Sequence, residues 1–126
     1  MEHTLLLTLL LCFVIGCGSS QQFVAVPETI DRQSVPQQTI EIRAERFHFT
    51  PEELHVKAGT LVVLKITSMD GTHGFKLSAF GLDERVEKGE TKTIELYASA
   101  KGEYGFHCSH LCGLGHLWMS GKLIIE

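Results

Sequence analysis

Leu61-Val62-Val63-Leu64-Lys65-Ile66-Thr67 is the segment from which the fold is read. It is rich in β-branched side chains, fits the pleated surface of a central strand, and is bounded by turn residues. On either side of it the sequence alternates. Ile40 and Ile42 alternate with Glu41 and Arg43, and Ile94 and Leu96 alternate with Thr93 and Glu95. A period of two puts one set of side chains on a buried face and the other in water. Leu123-Ile124-Ile125 closes the chain as a last strand. Ala58-Gly59, Asp70-Gly71, Lys88-Gly89-Glu90 and Lys101-Gly102-Glu103 punctuate these runs as turns. Short strands at regular spacing, with no long helical period and no internal repeat, predict an all-β sandwich or barrel over residues 39–126.

Composition fits one such domain. The chain has 126 residues, 44% hydrophobic and 21% charged, which excludes disorder over its whole length. Eleven Lys and Arg stand against fifteen Asp and Glu, for a net charge of −4. There is no basic footprint, so nucleic acid is not an expected partner. The four cysteines, Cys12, Cys17, Cys108 and Cys112, are too few and too unevenly placed for a disulfide scaffold.

The first two cysteines lie in or beside an apolar run. Residues 4–16 read TLLLTLLLCFVIG, shorter than the roughly 20 residues that span a bilayer as a helix. That length suits the apolar region of a secretory signal. The run ends in Val14-Ile15-Gly16-Cys17 followed by GSSQQ, which resembles a bacterial lipoprotein processing box. The resemblance implies cleavage of residues 1–16 and lipid on the sulfur of Cys17. Met1-Glu2-His3 lacks the Lys or Arg that usually opens such a segment, and a short uncleaved membrane anchor is the alternative. Residues 17–38, with Ser, Gln, Pro27 and Pro36, read as a flexible tether with an end-to-end reach of about 25 Å.

The other two cysteines carry the chemistry. Cys108-Ser109-His110-Leu111-Cys112-Gly113-Leu114-Gly115-His116-Leu117-Trp118-Met119 places two thiols, an imidazole and a thioether within twelve residues. Thiolate and thioether together favour copper over magnesium, calcium or manganese. Thiolate and imidazole alone would also suit zinc, though structural zinc rarely takes a thioether. A plain disulfide between Cys108 and Cys112 leaves His116 and Met119 without a role. Gly113 and Gly115 let the chain wrap tightly between ligands. A further imidazole is offered by Asp70-Gly71-Thr72-His73-Gly74-Phe75, at the turn after the strong strand.

The pair THGF and CSHLCGLGHLWM resembles the binuclear copper-A domain of cytochrome c oxidase subunit II, a site also found in nitrous oxide reductase. FTPEELHVKAGTLVVLKITSMDGTHGF is similar to the subunit II of ba3-type oxidases. The resemblance covers about residues 44–125 and implies a cupredoxin-like Greek-key sandwich holding two copper ions. By it, Cys108 and Cys112 would bridge both ions, and His73 and His116 would each bind one. Met119 would be a weak axial ligand, and the backbone carbonyl of His110 the weak ligand on the other ion. A second Cys separates this set from mononuclear blue copper, which uses one Cys, two His and a weak Met.

The implied function is electron transfer, from a cytochrome c or another small redox protein to a terminal oxidase or reductase. A haem-copper oxidase large subunit is the implied partner, and no turnover is expected from this chain alone. Two departures bear on docking. His110 stands where the oxidases often carry Glu, and a lipoprotein-like start stands where many oxidase subunits II carry a two-helix membrane hairpin. The alternative reading is an exported copper-delivery protein, with a zinc-stabilised domain well behind. His107, His48 and His55 are expected to point away from any metal. Phe47, Phe49, Phe75 and Phe106 are expected in the core, and the resemblance implies that Phe47 and Phe49 lie near the region where electrons enter. Trp118 either covers the site or meets a redox partner.

Overall fold

The structure is a computed structural model and describes residues 22–126. The expected signal segment and Cys17 lie outside the described residues. Nine strands form: β1 (Gln37–Glu45), β2 (His48–Thr50), β3 (Glu53–Val56), β4 (Leu61–Ser68), β5 (His73–Leu77), β6 (Leu82–Val86), β7 (Thr91–Tyr97), β8 (Gly102–His107) and β9 (Ser120–Ile125). They make a four-stranded sheet, ordered β2-β1-β4-β7, and a five-stranded sheet, ordered β3-β9-β8-β5-β6. The β1–β4 and β3–β9 pairs are parallel and the others antiparallel. The chain therefore crosses between sheets repeatedly, as an all-β sandwich requires.

Leu61–Thr67 is an inner strand of the four-stranded sheet, held by β1 and β7. Its register, Gln37↔Leu61 through Ala44↔Ser68, turns Leu64 and Ile66 onto the same inner face as Ile42 and Ala44. The facing sheet supplies Leu54, Phe75, Leu77, Phe106 and Leu123, all buried. At the centre, Phe49, Phe75 and Phe106 pack with centroids 4.8–5.8 Å apart, two of the three contacts edge-on. Such pairs add about 0.5–1.5 kcal/mol each beyond their buried area. Phe75 and Phe106 lie on strands that lead directly to the cysteines and to His73, so the core fixes the roots of the site.

Residues 22–38 are the described part of the tether expected over 17–38. β1 begins at Gln37, and residues 22–36 lie along the sandwich as a strap. The Phe23 N–H donates to the Ala79 carbonyl at 2.6 Å, and the Tyr97 N–H to the Ala25 carbonyl at 2.6 Å. The Phe23 ring packs on Phe80 and edge-on against Tyr104, at 5.3 and 5.9 Å between centroids. Arg32 pairs with Glu95 of β7, and the Leu61 N–H donates to the Pro36 carbonyl. Half-burial of one Phe is worth on the order of 1 kcal/mol, and each hydrogen bond about the same. These contacts outweigh the tether-like composition that the sequence presents.

Candidate metal centre

Two loops meet at one end of the sandwich: residues 69–72 between β4 and β5, and residues 108–119 between β8 and β9. Cys108 follows the last residue of β8, and its N–H donates to the Met119 carbonyl at 2.9 Å, so the long loop is closed at its neck. Cys108, Cys112, Met119 and His73 are buried, and His116 is half-buried. The two thiols are free, with their sulfurs 3.6 Å apart. The His110 carbonyl is 3.1 Å from the Cys108 sulfur. His116 Nδ1 and Met119 Sδ lie 3.6 and 3.8 Å from the Cys112 sulfur. One ligand atom each from His73, Cys108 and Cys112 falls within 4.8 Å of the other two. The structure thus gathers around two sulfurs all six positions that the sequence singled out.

His73 gives the test of fit. Its Nε2 faces Asp70 Oδ1 at 2.7 Å, which makes Nε2 the protonated nitrogen and leaves Nδ1 with a lone pair. Nδ1 is buried and is the one buried side-chain nitrogen or oxygen among the described residues without a partner. Leaving such an atom unpaired costs about 1–3 kcal/mol, and a soft metal beside the two sulfurs would satisfy it. Burial alone would push the Asp70 carboxyl up, but the Arg46 N–H at 2.9 Å and the His73 ring outweigh it and hold the carboxyl below its usual range. The carboxylate–imidazole pair is the arrangement that commonly orients a metal-binding histidine.

Burial, then the hydrogen bond to Cys108, push the Cys112 thiol up to about 11. Without metal it is neutral at ordinary pH. A metal must therefore displace its proton, and acid opposes loading.

Two features of this end escaped the sequence reading, and a third, the expected core residue Phe47, is half-buried and packs against the ligand loop as well. Asp70 itself is one; its signal was a carboxylate three residues before a candidate histidine. The second is a clamp, in which Ser109 Oγ donates to Asp83 Oδ1 of β6 at 2.6 Å, fixing the ligand loop to the β5–β6 hairpin. The third is Phe47. The chain at Gly113 has φ +134°, as a tight wrap requires. Gly115 serves otherwise: a Cβ there would lie 2.7 Å from Cδ1 of the Phe47 ring, so glycine is needed for the ring to cover the loop. His107, His48 and His55 are exposed, as expected. Trp118 does not cover the site. It is 74% exposed, with Leu111, Leu114 and Leu117 at 77%, 96% and 84%.

Asp70→Asn is expected to weaken copper binding by about 10–100-fold while the fold stays intact, because the amide no longer fixes the His73 tautomer. Competition with a chelator of known affinity measures this, and an unchanged affinity would remove Asp70 from the site.

The two-sheet sandwich, with a buried thiol, imidazole and thioether cluster at one end, is a copper-binding domain of the cupredoxin type. The family of cupredoxin-like domains matches residues 6–125, and the chain belongs to it. Within that family it is 34% identical over 90 residues to cytochrome c oxidase subunit 2 of Thermus thermophilus, covering 71% of this chain and 67% of that one. It matches a second subunit 2 from a named strain of the same species at the same 34% identity, but spans only 54% of that protein's length. It is 29% identical over 92 residues to nitrous-oxide reductase of Cupriavidus necator, covering 70% of this chain and 14% of the reductase. In fold it is similar to the periplasmic domain of cytochrome oxidase subunit II of Bradyrhizobium japonicum, at TM-score 0.65 and 20% identity, with 70% and 83% of the two chains covered.

Proposed function

We propose that this chain carries single electrons through a pair of copper ions. Cys108 and Cys112 would bridge the pair, His73 and His116 would each hold one ion, and Met119 and the His110 carbonyl would be the weak ligands. The observation that carries the reading is the pair of free, buried sulfurs 3.6 Å apart beside the unpartnered Nδ1 of His73. A disulfide or a lone structural ion would leave part of that set idle. Bound there, a copper pair supplies a centre that gains and loses one electron with the charge spread over two ions, so bond lengths change little. The protein's part is to keep water out and hold the ligands still. Every proposed side-chain ligand except His116 is buried, and the loop is tied at its neck and to Asp83.

Leu111, Leu114, Leu117 and Trp118 form the docking surface in this reading. They sit on the loop that carries most of the ligands, and residues 108–119 contain no Asp, Glu, Lys or Arg. An apolar, uncharged patch over a redox centre suits a small redox protein, such as a cytochrome c, with an apolar rim around its cofactor edge. Trp118→Ala is expected to slow electron exchange with such a donor at least tenfold while leaving metal content unchanged, and the wild-type rate should vary little with salt. Steep salt dependence with a silent Trp118 variant would move docking elsewhere.

The onward acceptor is proposed to be a terminal oxidase or reductase. The domain is proposed to be exported and held to the membrane by lipid on Cys17. No helix among the described residues is long and apolar enough to cross a membrane.

Metal analysis of the reconstituted protein tests the core of the proposal. About two coppers per chain, with an electron spin signal shared between two nuclei, is expected. One copper with a blue-type signal would overturn the pair, and zinc alone would overturn copper. Copper delivery is the competing use. Rapid oxidation of reduced cytochrome c with copper retained supports the electron carrier, and transfer of copper to a metal-free acceptor protein supports delivery.

A further inference from the structure

The strap changes what a lipid on Cys17 would do. Chain that is free from Cys17 to Thr39 could extend to about 75 Å and let the domain take any attitude. The structure docks that chain from Phe23 onward. Only five residue steps separate Cys17 from Gln22, a reach of about 18 Å at full extension.

Gln22 leaves the sandwich at a defined place. It lines a cavity of about 530 Å³ with Lys76, Gly81 and Asp83 of the β5–β6 hairpin and the turn between those strands. β6 is the edge of the five-stranded sheet. The same hairpin begins with His73 and holds Ser109 of the ligand loop through Asp83. β5 runs from His73 at the ligand end to Leu77 at the exit, so Gln22 leaves at the end of the sandwich opposite the ligand loops, roughly 13 Å of strand away. The hairpin sets Lys76 and Arg85 against Asp83 and Glu84, so no net charge holds it off an anionic surface.

We propose that the strap makes the anchor short and directional. The end of the sandwich that carries the β5–β6 turn is held against the lipid surface, and the ligand-bearing end is turned away from the bilayer, toward redox partners. The inference rests on lipidation of Cys17 and deepens the electron-carrier reading: a partner reaches the exposed 111–118 loop from the side away from the bilayer.

The test uses the full-length, copper-loaded, membrane-extracted protein in vesicles of phosphatidylcholine and phosphatidylglycerol. A few per cent of the lipid carries an amine-reactive headgroup. Intact mass of the same sample reads the lipid on Cys17. Lys76 lies beside the exit and Lys101 in the β7–β8 turn at the same end of the sandwich, whereas Lys88 lies in the β6–β7 turn at the end that carries the ligand loops. Normalised to a soluble reagent, Lys76 and Lys101 are expected to cross-link to lipid at least fivefold more than Lys88. Phe23→Ala, which loosens the strap, is expected to level the three. A flexible insert of about 20 residues between Gln21 and Gln22, which leaves the strap docked, is expected to do the same. Equal labelling in a chain whose mass includes the lipid overturns the orientation and leaves the anchor standing. Lipid missing from Cys17 overturns the anchor and the orientation with it.

Discussion

Cys112→Ser is expected to abolish the two-copper signal and to drop metal content from about two ions per chain to one or none. Each sulfur is proposed to bridge both ions, so removing one takes a bond from each ion. The geometry makes Cys112 the more telling of the pair. Its sulfur lies 3.6 Å from that of Cys108, 3.6 Å from His116 Nδ1 and 3.8 Å from Met119 Sδ, so three proposed ligands converge on it. A serine hydroxyl is smaller and harder, and it ionises far less readily than a thiol that must already give up a proton held to about 11. The fold should survive, since the core is built from strands that do not depend on this loop. His110→Ala sets the contrast: its carbonyl remains, so the centre should still assemble. Spin resonance and metal analysis of the two variants decide the matter. A Cys112→Ser protein that keeps two coppers and a shared signal would sink the bridged pair, and loss of copper in His110→Ala would mean that the imidazole, and not the carbonyl, is the ligand.

What the sequence displayed, and what it hid, follows from the range of each interaction. β1 and β7 were readable because burial on one face imposes a period of two within a single segment, and Ile40 with Ile42 and Ile94 with Leu96 record it directly, while β4 was readable from its run of β-branched side chains. β2 and β3 are only three and four residues long and carry too few side chains to establish a period. The strap was hidden for a different reason. Its hold comes from one ring, Phe23, the Arg32–Glu95 pair, and backbone hydrogen bonds with Ala79, Tyr97 and Leu61, which impose no period on the sequence. The candidate ligands were legible because soft metal chemistry restricts residue type and because four of them fall in one short loop. Their supports were not: Asp83 reaches Ser109 across 26 positions, and Phe47 covers Gly115 from 68 residues away. Contacts of that kind exist only once the sheets are stacked.

Gly74 depends on the same stacking, and Gly74→Ala is expected to be the most damaging single methyl in the domain's functional end. Gly74 is on β5 beside His73, pressed against the start of the ligand loop. An alanine Cβ there would stand 2.7 Å from the His110 nitrogen and 2.8 Å from the Ser109 nitrogen, and would collide with Ser109 Oγ. Two of those three atoms are backbone, so no side-chain rotation relieves the clash. The loop has to move outward. Moving it breaks the Ser109–Asp83 hydrogen bond and draws the Cys108 sulfur away from the Gly74 N–H, now 3.4 Å from it. Overpacking of this kind costs about 1–3 kcal/mol. For a domain of this size that lowers the melting midpoint by roughly 5–20 °C. Copper loading should fall further than stability does, because the displaced segment carries Cys108 and the His110 carbonyl. Gly105→Ala is the control: it lies on neighbouring β8, and a Cβ there meets nothing within 4 Å. Thermal melts of the metal-free proteins and copper titrations of both variants separate the two effects. A Gly74→Ala protein with the melting point and copper affinity of Gly105→Ala would show that the ligand loop does not rest on β5, and the route by which His73 and Cys108 are brought together would have to be redrawn.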